Sequence, residues 1–86
     1  MIIHGHVQGV FFRANTREKA KELGLTGWVK NLENGTVEVL AYGPQESLDS
    51  LLKWCHHGPA GASVSKVDYE WKKYEEEFSG FDIRYD

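Results

Sequence analysis

The chain has 86 residues, 41% of them hydrophobic and 27% charged, with a formal net charge of -3. That length suits one domain spanning 1–86 that buries roughly 60% of its unfolded surface, and the acidic balance argues against the basic face by which nucleic acid is bound. Cys55, the only cysteine, excludes an internal disulfide and a cysteine-rich metal site, while the opening MIIHGHVQG is too short an apolar run for a leader or a membrane span. A cytoplasmic protein without a membrane or nucleic-acid partner is expected.

Met1 to Val7 alternates as a short strand, with Ile3, Gly5 and Val7 on one side and Ile2, His4 and His6 on the other. From Phe12 the period changes. Phe12, Thr16, Ala20 and Leu23 share one stripe, Arg17, Glu18, Lys19, Lys21 and Glu22 fill the opposite face, and Gly24 stops the helix. Two strands follow, Thr26 to Asn31 and Thr36 to Tyr42. Asn34-Gly35 in the connection is a strong hairpin signal, because both residues tolerate positive φ. Pro44 suits the first position of a second helix with Leu48, Leu51, Leu52 and Cys55 on its apolar stripe, ended by Gly58-Pro59.

After a loop of small residues, Val67, Tyr69 and Trp71 alternate with Lys66, Asp68, Glu70 and Lys72, which reads as a strand with one wet face. Phe81, Ile83 and Tyr85 alternate with Asp82 and Arg84 and read as another. The order β-α-β-β-α-β plus a C-terminal strand is that of an α+β, ferredoxin-like split βαβ sandwich: an antiparallel sheet with two helices on one face. That architecture hosts many functions, so function has to be argued from particular residues.

The stretch GHVQGVFFR, Gly5 to Arg13, is the turn from the first strand into the first helix. A glycine-containing turn at a helix N-terminus offers backbone N–H groups without intrahelical partners and the positive end of the helix dipole. Arg13 adds a planar fork matched to phosphoryl oxygens. Spacing alone fits an ordinary turn with a solvated arginine equally well. Neither the Gly-Lys-Ser/Thr ending of a P-loop nor G-x-G-x-x-G is present, so no nucleotide is implied.

Two segments carry a family resemblance. GHVQGVFFR resembles the first signature of the acylphosphatases, and GWVKNLENGTVEVLAYG, Gly27 to Gly43, resembles their second; FDIRY, Phe81 to Tyr85, is similar to the way these proteins end. The resemblance implies a ferredoxin-like enzyme that hydrolyses the carboxyl-phosphate anhydride of acyl phosphates to a carboxylate and inorganic phosphate. It implies no metal and no cofactor and a small-molecule acyl phosphate as substrate; a monomer is expected. Carried over by position, it makes Arg13 the phosphate-binding arginine and Asn31 the residue that positions the attacking water. Gly5, His6, Val7, Gln8, Gly9, Val10, Phe11 and Phe12 form the backbone cradle. Leu32 stands where some relatives carry a hydroxyl.

Other residues have plainer readings. His4 and His6 share a strand face and His56 and His57 end the second helix, but no carboxylate or cysteine lies at ligand spacing, and histidine at a helix C-terminus already has a dipole reason. Cys55 reads as a packed thiol, and Trp28, Trp54 and Trp71 as core or sheet-face aromatics. Lys30 could draw anions to the site, yet its position also suits a solvated strand face. Two other functions share the strand order. A phosphoryl-binding module without turnover would lack a reason for both Arg13 and Asn31, and an RNA-recognition motif would need an aromatic core sequence that is absent.

Overall fold

The computed structural model describes residues 1–72 and 78–85. In chain order they form β1 (Ile2–His6), α1 (Phe12–Glu22), β2 (Thr26–Asn31), β3 (Val37–Tyr42), α2 (Gln45–His57), β4 (Ser63–Asp68) and β5 (Phe81–Arg84). The strands lie in one sheet in the order β4-β1-β3-β2-β5. The central strand β3 pairs antiparallel with both β1 and β2, and β4 pairs antiparallel with β1. This is the expected ferredoxin-like sandwich with one correction. β5 runs parallel to β2, so the sheet is mixed. Alternation sorts residues onto faces but carries no strand direction, which is why the sequence pattern could not show this.

Alternate strand residues turn one face of the sheet inward. Ile3, Val29, Val37, Val39 and Phe81 are buried there against Phe12, Thr16 and Ala20 of α1 and Leu51 and Cys55 of α2. The stripes on both helices are those that the helical period selects. Thr16 is a buried polar residue, and its hydroxyl donates to the Phe12 carbonyl at 2.7 Å, so it costs little. Trp54 extends the core, its ring tilted against Phe12 with centroids 5.7 Å apart. On the opposite face Trp28 lies between Lys30 and Arg84, whose cationic groups sit 5.2 and 4.9 Å from its ring centroid. Lys30 therefore belongs to the face away from the helices.

Helix ends follow local chemistry. Leu25 N–H donates to Ala20 and Gly24 N–H to Lys21, with Gly24 at φ 73°, which is the Schellman arrangement closed by the buried Leu25. Pro44 sits one residue outside α2, in extended conformation, rather than being its first helical residue. At the other end Gly58 N–H donates to Trp54 and His56 Nδ1 donates to the Leu52 carbonyl at 2.9 Å. In the β2–β3 hairpin only Gly35 uses positive φ; Asn34 acts through its side chain instead, its Oδ1 accepting from Thr36 N–H and hydroxyl at 3.1 and 2.6 Å.

β4 lies upstream of the expected strand. Its register with β1 ends at Ile2 paired with Asp68, leaving Tyr69 and Trp71 without a strand partner among the described residues; both are half exposed and stacked edge-on with centroids 5.7 Å apart. Alternation beyond Asp68 outlasts the strand that could pair with it. The small residues Ser63 to Ser65, read as loop, join β4 through a bulge opposite Gly5. A Cβ on Gly5 would overlap the Ser63 carbonyl oxygen, so glycine is required there by close approach of the backbones.

Candidate active site

The site is assembled where β1 leaves the sheet. Val7 is buried, and the chain then bends through Gly9 at φ 74° and Phe11 at φ 59°, ψ 25° before α1 starts at Phe12. Phe11 is the only non-glycine residue with positive φ among the described residues. Its carbonyl is held from two directions, by the backbone N–H of Asn15 at 3.0 Å and by Asn15 Nδ2 at 2.9 Å. Among the described residues no side chain caps α1, and its first turn has no acidic residue. The positive end of the helix dipole is thus left without the compensation most helices provide. Arg13 stands in that first turn, its guanidinium 5.0 Å from the centroid of the Tyr85 ring.

Asn31 comes from the far side of the sequence. It is the last residue of β2, paired with Val37, on the inward face already occupied by Gly27 and Val29. Its side-chain Oδ1 is buried with no hydrogen-bond partner among the described residues. Gln8 links the two walls: its Nε2 donates to the carbonyls of Leu32 at 2.8 Å and Thr36 at 2.9 Å, tying the β1–α1 turn to the hairpin directly after Asn31. Leu32 thus contributes a carbonyl to the clamp, whatever its side chain does.

Between these walls lies a cavity of about 280 Å³. Arg13 and Asn31 line it with Val7, Gly9, Phe11 and Phe12, and Ala14, Ile83 and Tyr85 complete the wall. Of the residues the sequence singled out, Gly5, His6, Gln8 and Val10 are not in the lining. Gly5 and His6 belong to β1 opposite β4, Gln8 points to the hairpin, and Val10 packs against the core. Ile83 and Tyr85 are lining residues to which the sequence reading gave no role. The parallel register, Val29 with Ile83 and Lys30 with Arg84, brings the following Tyr85 level with Asn31. Without strand direction that neighbour relation is invisible.

A larger hollow, of about 630 Å³, lies against Ile2, Trp28, Leu40 and Tyr42. Its charged lining is Glu38, Asp68 and Glu70 against Lys72 and the Met1 amino group, an acidic balance that disfavours a phosphoryl group. Asp68 is held below the usual carboxylate range, first by its 2.9 Å hydrogen bond from His4 and then by Lys66. Burial pushes the Cys55 thiol up to about 12, so it is neither nucleophile nor ligand at neutral pH. Among the described residues no group of three His, Cys, Asp or Glu side chains could hold a metal ion.

Strand order, helix placement and the small arginine-lined cavity at the first β–α turn together define a ferredoxin-like α+β domain. The acylphosphatase family model matches residues 1–83. An acylphosphatase of Pelotomaculum thermopropionicum is 47% identical over 85 residues, covering 99% of this chain and 92% of that one. The structure of an acylphosphatase from Coxiella burnetii superposes with a TM-score of 0.91 at 48% identity, covering 96% of this chain and 86% of that chain. That of acylphosphatase from Bacillus subtilis gives a TM-score of 0.95 at 36% identity, covering 98% and 93%. The chain belongs to the acylphosphatase family, whose enzymes act on small acyl phosphates, and the reading as a mere binding module is set aside. Among the described residues no helix is long and apolar enough to cross a membrane.

Proposed function

We propose that Arg13 and the backbone N–H groups at the start of α1 bind the phosphoryl group and that Asn31 places the attacking water. The observation that supports this best is the convergence of Arg13, the Gly9–Phe12 turn and Asn31 on one cavity from distant parts of the chain. Asn31 adds a second support. A buried acceptor without a partner costs about 1–3 kcal/mol, and a water donating to Oδ1 from within the cavity relieves that cost.

In the proposed reaction the water oxygen forms a bond to phosphorus as the bond from phosphorus to the acyl oxygen breaks. The electron pair leaves with the carboxylate, and the water proton passes to solvent or to the phosphate formed. A carboxylate, whose conjugate acid has a pKa of about 4, departs without a strong general acid. In a loose, metaphosphate-like transition state the water has formed little bond and needs no early deprotonation. What remains is to offset charge on the phosphoryl oxygens and hold one water in line, for which an arginine, backbone donors and an amide are enough. On this reading the reaction needs no metal ion or cofactor. We further infer one cytoplasmic domain that works as a monomer on small molecules and not on nucleic acid. The buried free thiol of Cys55 supports a reducing compartment.

The test is hydrolysis of benzoyl phosphate in excess chelator by wild type, Arg13→Ala and Asn31→Ala. Fast turnover is expected for wild type. Arg13→Ala is expected to lose binding and turnover together, and Asn31→Ala to lose kcat by roughly 10²–10³ with a modest change in KM. Retained turnover in Asn31→Ala would remove that residue from the mechanism.

A further inference from the structure

Phe11 and Tyr85 are members of the cavity wall that phosphoryl chemistry does not explain. They stand at its rim. Their exposures are 80% and 81%, whereas Val7 and Phe12 at the base of the cavity are 1% and 2% exposed. Phe11 also adopts a left-handed backbone that costs a bulky residue on the order of 1–3 kcal/mol and that glycine adopts freely. Its exposed ring gains almost no burial to offset that cost. An aromatic side chain in an expensive conformation, turned to solvent at the mouth of a site, is accounted for by what it would cover when the site is filled.

Tyr85 arrives from the opposite wall. Its ring is held beside the site by the Arg13 guanidinium 5.0 Å from its centroid, and the half-buried Ile83 continues the apolar surface inward. The cavity, about 280 Å³, is at the lower end of small-molecule sites, which span roughly 300–1,000 Å³. It has room for a phosphoryl group and its carboxyl linkage, but a larger acyl group must extend past the rim and so past these two rings.

Granting that Arg13 and Asn31 handle the phosphoryl end, we infer that Phe11 and Tyr85 are the specificity-determining residues for the acyl end. The substrate class is acyl phosphates with an aromatic or extended apolar acyl group, selected over acetyl phosphate. The two rings supply apolar and edge-or-face aromatic contact to the acyl body, while the polar groups deeper in the cavity stay committed to the phosphoryl oxygens.

The experiment compares kcat/KM for benzoyl phosphate with that for acetyl phosphate in wild type, Phe11→Gly and Tyr85→Leu. Phe11→Gly removes the ring while suiting the left-handed backbone, and Tyr85→Leu changes an exposed position just past β5, so both are compatible with folding. The benzoyl-to-acetyl ratio is expected to fall about three- to tenfold in each variant, with acetyl phosphate as the internal reference. A ratio that stays within about twofold of wild type in both variants overturns the inference. An equal loss on both substrates in Tyr85→Leu would assign Tyr85 to holding Arg13 and overturn its part. Failure of wild type to turn over acetyl phosphate or benzoyl phosphate at all would overturn the phosphoryl reading and the inference with it, and is distinguishable from an unchanged ratio.

Discussion

The fold contains two β–α connections of similar topology, and their chemistry is opposite. Between β3 and α2 the chain turns through Gly43 and Pro44, and the second helical residue is Glu46, a carboxylate at the positive end of the helix. Between β1 and α1 the turn is longer, holds Gly9 and the strained Phe11, and the second helical residue is Arg13. An acid in the first turn stabilises a helix by about 0.3–1 kcal/mol, and a cation there opposes the dipole. Among the described residues neither helix has a side-chain N-cap, but α2 offsets its positive end with Glu46, whereas α1 adds Arg13 to its own, an arrangement favourable only when an anion arrives. Placing a cation where the helix least favours it is a sign of binding rather than of folding.

Replacing the second helical residue of α1 tests that contrast most strongly. Arg13→Ala is expected to reduce kcat/KM by about 10³ or more while leaving the melting temperature of the ligand-free protein within about 4–8 °C of wild type, an effect of at most 1 kcal/mol. A large loss of stability, measured by thermal unfolding, would make Arg13 a structural residue. Gln8→Leu comes next, because it cuts the clamp between the turn and the hairpin. The Thr36 carbonyl keeps its bond from Leu32 N–H and the Leu32 carbonyl its bond from Gly35 N–H, so a stability loss of only about 1–2 kcal/mol is expected in denaturant unfolding. A fall in kcat should accompany it, since Asn31 and the cradle lose their common support. Full activity in a destabilised Gln8→Leu would separate the clamp from the site.

Cys55 probes the quiet side of the contrast, on α2. Its thiol, pushed by burial from 9.0 to about 12, stays protonated in the folded chain while an unfolded thiol ionises near its ordinary value. This thiol's contribution to stability should therefore be constant well below pH 9 and decline from about there to pH 12, and Cys55→Ala should remove that part of the decline. Rapid labelling of the native thiol at pH 8 would contradict its burial. The smallest effect is expected for Glu46→Gln, about 0.3–1 kcal/mol in unfolding and no change in turnover. Loss of activity there would mean that the two turns are less distinct than their residues suggest.

Much of this was legible from residue order. The stripe Phe12, Thr16 and Ala20 and the stop at Gly24 needed only the helical period and the tolerance of glycine for positive φ. Arg13 and Asn31 stood out through motifs, and the fold brings both to one cavity. What stayed hidden depends on partners. The strand expected through Trp71 ends at Asp68, opposite Ile2, where Met1 exchanges its backbone hydrogen bonds with Val39 of β3, and alternation does not record where a neighbour stops. Tyr85 reaches the cavity only because β5 runs parallel to β2, and the role of Gln8 depends on carbonyls in the hairpin after Asn31, more than twenty residues away. The strain at Phe11 is likewise a property of the folded turn.

The decisive measurement is calorimetric titration of inorganic phosphate into wild type, Arg13→Ala and Asn31→Ala. If the first turn of α1 is an anion site closed by Arg13, with Asn31 acting on water, phosphate binds wild type and Asn31→Ala with similar affinity and binding to Arg13→Ala is lost. Near-wild-type affinity in folded Arg13→Ala would contradict that division of labour.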